Sequence, residues 1–137
     1  MGLFDRLAGV DSVRLTPKSA LALAAMTVIG ADGIIEEEEV DNLRRIVRGD
    51  DDAFQRAFKV YKAKSFHDCI PMVAEVLDQQ QKIATMANLL DIAMADGILA
   101  GAEEELLQAY AEQFAIPGNI LDTLIDVIAR KNDFSIF

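Results

Sequence analysis

Apolar residues recur three and four positions apart through nearly all of this chain, and no segment keeps the two-residue alternation of a strand. Residues 17–32 predict a first long helix. Thr16 offers a capping hydroxyl, Pro17 takes the first helical position, and Leu21, Ala24, Ala25 and Val28 follow at helical spacing. Residues 36–48 predict the next helix, with Val40, Leu43 and Val47 on one face. Glutamates at its start and Arg44, Arg45 and Arg48 near its end both complement the helix dipole, and Gly49 suits a left-handed ending. Any of Asp50, Asp51 and Asp52 can cap a helix carrying Phe54, Ala57, Phe58 and Tyr61. Ser65 is expected to cap residues 66–77, with Pro71 bending that helix by removing one backbone donor. Asp78 and Gln81 have capping-box spacing ahead of Ile83, Met86, Ala87, Leu90 and Ala93. Residues 102–115 carry Leu106, Leu107, Tyr110 and Phe114 and are broken by Pro117-Gly118. Asn119 is expected to cap a last helix in which Leu121, Leu124, Ile125 and Ile128 share a face. At the start of the chain, Leu3, Phe4, Leu7 and Val10 suggest a short helix docked on the body. The two Asp-Gly pairs sit between helices, not in hairpins, so the pattern predicts an all-α bundle of about seven helices.

One phrase is written twice: Gly30-Ala31-Asp32-Gly33-Ile34-Ile35 and Met94-Ala95-Asp96-Gly97-Ile98-Leu99, 64 residues apart. Each copy follows an apolar run and leads into glutamates, which predicts an internal pseudo-two-fold repeat of helix-loop-helix units, about 17–48 and 79–115. Gly33 and Gly97 have a structural reason, since a helix ending favours a residue tolerant of positive φ. Asp32 and Asp96 have a weaker one. A carboxylate in the last turn of a helix meets the negative end of the dipole, at a cost of roughly 0.3–1 kcal/mol. Breaking the same local rule twice points to cation binding, although an aspartate can also brace the loop through its backbone. A glutamate follows each aspartate by seven residues, Glu39 and Glu103. The layout looks like the second half of an EF-hand loop, but Val28, Gly30, Ile92 and Met94 stand where a calcium loop needs Asp or Asn, which excludes a standard EF-hand. An ion held here needs carboxylates from both halves, or backbone carbonyls and water.

Composition narrows the setting. A chain of 137 residues with 52% hydrophobic content is long enough for one domain with a real core, residues 1–137. Its net charge of −10 disfavours nucleic acid and anionic lipid as main partners and favours cations or basic protein surfaces. The lone Cys69 excludes an intramolecular disulfide, fits a cytoplasmic location and reads as a buried small hydrophobe. The apolar run 20–31 follows Arg6, Arg14 and Lys18 as a signal peptide would, but Asp5 and Asp11 interrupt that leader and Asp32-Gly33 is a poor cleavage site. It is also too short for the ~20 apolar residues of a membrane span, so neither secretion nor membrane insertion is expected.

The two units, their separation and the short Gly-Leu-Phe-Asp start resemble the TerB-like domain family, tellurite resistance protein B-like, over roughly residues 1–130. The resemblance implies an all-helical domain with an acidic centre proposed to bind a divalent cation, in bacterial stress-response systems linked to tellurite, other toxic compounds and phage defence. It implies no enzymatic activity. Carried onto this chain, the metal positions are Asp32, Glu38 and Glu39 in the first unit and Asp96, Glu103 and Glu104 in the second. The chain departs from the family pattern at the helix starts, with Glu36 and Glu37 in the first unit but Ala100 and Gly101 in the second. The second unit is thus poorer in carboxylates, and one shared or one-sided site is expected. An all-oxygen ligand set selects Ca²⁺ or Mg²⁺ over zinc or copper. Such binding should stabilise the fold and be lost on acidification.

Other candidates are weaker. His67 and Cys69, two apart on a helix, point to different faces and cannot share one ion, and no second histidine exists. The glycines do not form a phosphate loop, because no Gly-Lys-Ser or Gly-Lys-Thr follows a strand. Lys59, Lys62 and Lys64 read as a solvated face. The leading expectation is a non-enzymatic, cation-responsive module that engages a protein partner. The alternative is a metal-free interaction domain in which the Ala-Asp-Gly corners only brace helix junctions. A carboxylate metallohydrolase ranks last, since nothing here signals a nucleophile or base in a pocket.

Overall fold

The first long helix is wrapped by the others on nearly every side. A computed structural model of the chain describes residues 13–33, 35–95 and 101–137, with backbone alone at Asp32. Seven α-helices account for most of these residues, and no strand occurs among them. They are α1 (Pro17–Ile29), α2 (Glu37–Ile46), α3 (Asp51–Ala63), α4 (Phe66–Val76), α5 (Gln79–Met94), α6 (Gly101–Gln113) and α7 (Gly118–Lys131). Short 3-10 turns follow α1 at Gly30–Asp32 and α7 at Phe134–Ile136. The helix expected around Leu3 to Val10 lies outside the described residues.

Helix α1 starts as its sequence predicts. Thr16 Oγ1 accepts from the Ser19 N–H at 3.2 Å, and Ser19 Oγ accepts from the Thr16 N–H at 2.6 Å, with Pro17 in the first turn. From Ala22 to Ile29 every residue is buried, while Leu21, expected on the apolar stripe, is only half-buried. A helix that is apolar all round belongs in the centre, and α2, α3, α4, α5 and α6 all pack on α1. Alanines at 20, 22, 24 and 25 let those helices approach its backbone. The polar group near the end of this layer, Thr27, is satisfied. Thr27 Oγ1 donates to the Ala24 carbonyl at 2.7 Å and lies 2.7 Å from Tyr110 Oη on α6, which therefore donates to Thr27. Burial pushes the Tyr110 hydroxyl pKa well above its ordinary value.

The other caps follow local chemistry, with three adjustments. Asp50, Ser65 and Asp78 cap α3, α4 and α5 through Ala53, Asp68 and Gln81 N–H groups. Helix α2 closes earlier than expected. The left-handed residue after it is Arg48 (φ 57°) as well as Gly49 (φ 76°), with Gly49 N–H bonded to Arg44 O and Arg48 N–H to Arg45 O, each at 2.9 Å. Helix α6 ends the same way. Ala115 (φ 53°) is left-handed, Ile116 N–H reaches Ala111 O at 3.2 Å, and Ala115 N–H reaches Glu112 O at 3.0 Å, so the turn is complete before Pro117. Pro117, not Asn119, precedes the first turn of α7, and its carbonyl accepts from Ile120 and Leu121. The hydrogen bonds of that turn fix the boundary two residues ahead of the side chain best suited to cap it.

Helix α7 is less well covered. Its one extensive contact is with α5, and of its expected stripe only Ile128 is fully buried. No helix among the described residues is long and apolar enough to cross a membrane.

Candidate functional site

The first Ala-Asp-Gly corner is a tightened end of α1. After Ile29 the chain passes into the 3-10 turn, Gly33 N–H bonds to Gly30 O at 2.9 Å, and Gly33 takes φ 93°. That left-handed conformation is the reason for glycine at this position. Gly30 has a different one. A Cβ there would lie 2.1 Å from Tyr61 Oη and 3.1 Å from its ring carbon Cζ, so the absence of a side chain lets α3 close on the corner. Tyr61 belongs to a run of stacked rings, Phe54, Phe58, Tyr61 and Phe66, with centroids 6.0–6.5 Å apart. The run stiffens the wall on which the corner rests.

Across the corner lies α6, the helix that carries the glutamates of the second unit. The 3-10 turn packs directly on α6, and a cavity of about 180 Å³ between them is lined by Ala31, Phe66, His67, Ile70, Glu105 and Leu106, among others. The first corner thus touches the helix that follows the second Ala-Asp-Gly phrase in the sequence.

The six sequence-predicted positions fare differently. Asp96 lies outside the described residues, and of Asp32 only the backbone is described, as the last residue of the 3-10 turn. Glu38 is exposed in the first turn of α2. Glu39 is half-buried, and its Oε1 accepts from the Glu36 N–H at 2.9 Å. This bond occupies one carboxylate oxygen with the ordinary work of a helix start. Glu103 is half-buried near the start of α6. Glu104 is exposed and turned toward a groove facing α7, away from the corner. Glu105, which the motif spacing passed over, shares the cavity with Ala31. The three consecutive glutamates at 103–105 were its only signal. Among the described residues no three His, Cys, Asp or Glu side chains gather closely enough to hold an ion.

The His-Asp-Cys run behaves as its helical spacing predicts. His67 is exposed and Cys69 fully buried, on different faces of α4. Burial, with Asp68 adding to it and Lys64 opposing, pushes the Cys69 thiol up to about 11, so it is a packed apolar group and no nucleophile at neutral pH.

Fold and corner together define an all-α domain built round one encased helix, with its glycine-shaped end pressed against the glutamate-bearing helix. Residues 18–123 match the family described as tellurite resistance protein TerB, and the chain belongs to that family. No curated protein and no solved structure matches the chain.

Proposed function

We propose that this protein is a non-enzymatic, divalent-cation-responsive interaction module of a bacterial stress or tellurite-resistance system, working in the cytoplasm. Family membership supports the setting. The observation that carries the reading is the packing of the Gly30–Asp32 turn on α6, because it brings the acidic phrase of one unit to the helix start of the other. Asp32 and Asp96 form the centre, with Glu38, Glu39 and Glu103 as the further oxygen donors, while Glu104, the fourth glutamate the resemblance implies, faces the α7 groove. Ca²⁺ or Mg²⁺ is the ion such a set selects. Binding there would tie the end of α1 to the start of α6 and alter the surface shown to a protein partner.

Titration calorimetry of the metal-free chain with Ca²⁺ and Mg²⁺ tests this. Heat and a thermal shift that vanish in Asp32→Asn and Asp96→Asn support it; no heat and no shift at millimolar ion overturn it. A second reading, an interaction domain without metal, is favoured by the Glu39 bond to the Glu36 backbone, which gives that glutamate a local structural job. In that case both aspartate variants change stability while leaving no ion dependence to lose.

A further inference from the structure

Every exposed large hydrophobic residue among those described lies in the last stretch of the chain: Ile125, Val127, Phe134, Ile136 and Phe137. All five fall after residue 123, where the family match ends. Phe134 and Phe137 are 79% and 94% exposed. Their rings sit against each other at 6.0 Å on the final 3-10 turn, whose shape is held by Asp133 accepting from Ser135. The result is a preformed apolar knob. Its base is fixed, because Asp91 on α5 accepts from Lys131 at 3.0 Å and from the Asn132 side chain at 3.0 Å.

The same chain carries a matching hollow. Since α7 packs extensively on α5 alone, a groove of about 520 Å³ remains between α5, α6 and α7, walled by Met86, Leu90, Leu107, Ala111, Leu121 and Ile125. Its size lies within the roughly 300–1,000 Å³ of pockets that enclose an apolar ligand. Exposed Glu104 and Glu112 stand on its rim, with no ion-pair partner among the described residues. The knob is preceded by Arg130, which is 79% exposed and loosely paired, at 3.7 Å, with Asp126. Apolar surface and charge are therefore complementary between the two features, and within one chain the knob stays outside the groove.

We propose that the Phe134, Ile136 and Phe137 knob of one copy seats in the α5–α6–α7 groove of a second copy, and reciprocally, so that the chain forms a two-fold dimer. Reciprocal exchange closes the assembly and uses up both features. Four phenylalanines entering two grooves bury on the order of 600–1,000 Å² of side-chain surface. With the groove walls included, the interface passes the roughly 1,000 Å² expected of a specific association. Arg130 then lies near the acidic rim and sets the register.

Sedimentation velocity of the full chain over a concentration series tests the idea. A dimer at tens of micromolar is expected, weakened at least about tenfold both by Phe134→Ser with Phe137→Ser and by Ile125→Glu in the groove. The tail substitutions fall on exposed side chains, so unchanged helical circular dichroism confirms that the fold is kept. Mixing a Gln108→Cys chain with a Ser135→Cys chain under mild oxidation should give an interchain disulfide between the two variants, with buried Cys69 as a silent background. A chain that stays monomeric at several hundred micromolar, a dimer indifferent to the tail substitutions, or no mixed disulfide overturns the proposal.

Discussion

Helices α1 and α7 are nearly equal in length and rich in aliphatic residues, yet one is encased and the other half bare. Every residue from Ala22 to Ile29 is buried, whereas of the 14 residues of α7 only Ile128 is. Five helices cover α1, while α7 leans extensively on α5 alone. The difference is one of side-chain size and neighbours as much as of hydrophobicity. Small residues along α1 admit close partners on all sides, and larger ones on α7 hold a groove open against α6. The encased helix supplies stability, and the bare one leaves apolar surface uncovered.

The sharpest way to break this contrast is to cut a side chain from the encased helix. Leu23 is fully buried, and Leu23→Ala should lower unfolding free energy by about 2–5 kcal/mol, through lost transfer energy and the cavity left behind. Urea denaturation followed by circular dichroism measures it. A loss below about 1 kcal/mol would show that α1 can collapse around the gap, and that its central position is not what holds the fold.

Alkaline pH probes the same core from α4. The Cys69 thiol is raised from 9.0 to about 11, so the folded state holds the proton more tightly than the unfolded chain does. Its contribution is complete below about pH 9 and is lost as the pH climbs through about 11. Wild type should therefore lose about 2–3 kcal/mol more than Cys69→Ala over that interval. Tyr110, also raised, keeps both proteins sensitive at still higher pH. Equal alkaline losses in the two proteins would mean that the thiol is solvated in the native state.

At the junction of the two regimes stands Ala115, left-handed at φ 53° between α6 and α7. A residue with a Cβ pays roughly 1–2 kcal/mol there, and glycine pays almost nothing. The greater freedom of glycine in the unfolded chain takes back part of the gain. Ala115→Gly should raise stability by about 0.5–1 kcal/mol, read as a rise in melting temperature. A fall instead would mean that the Ala115 methyl makes groove contacts worth more than its strain.

Local signals explain why much of this fold could be read from the chain. Thr16-Pro17, Asp50, Ser65 and the Asp78/Gln81 pair act on backbone groups within a few residues, so their effect is written beside them. Gly33 is the same kind of signal. Leu21 and Asn119 misled for opposite reasons. Periodicity assigns a face to Leu21 but cannot say that five neighbours bury the rest of α1, and a good capping residue at 119 yields to a turn closed from Pro117. Long-range pairs leave no trace. Thr27 meets Tyr110 across 83 residues, and Gly30 admits Tyr61, through packing that no local pattern encodes. Among the glutamates that open α6, the family resemblance put forward Glu104, while the turn of α6 presents Glu105 to the Ala31 cavity and Glu104 to the groove. A helix rotates its residues by about 100° each, so a one-residue difference moves a carboxylate from one surface to another.

The smallest effect discriminates best between two meanings of a bare helix. Ile125 is 38% exposed in the wall of the α7 groove. If that wall is merely loose packing, Ile125→Ser costs the monomer little, within about 0.5 kcal/mol, and changes nothing else. If it is a surface kept for a second copy, the same substitution leaves the unfolding of dilute monomer unaltered but weakens self-association, because the apolar area is withdrawn from water only in the dimer. Melting curves at low and high protein concentration separate the cases. Wild type should melt higher when concentrated, and Ile125→Ser should lose that dependence. A concentration dependence that survives the substitution would move the binding surface away from α7, and a large loss already in the dilute protein would return Ile125 to the core.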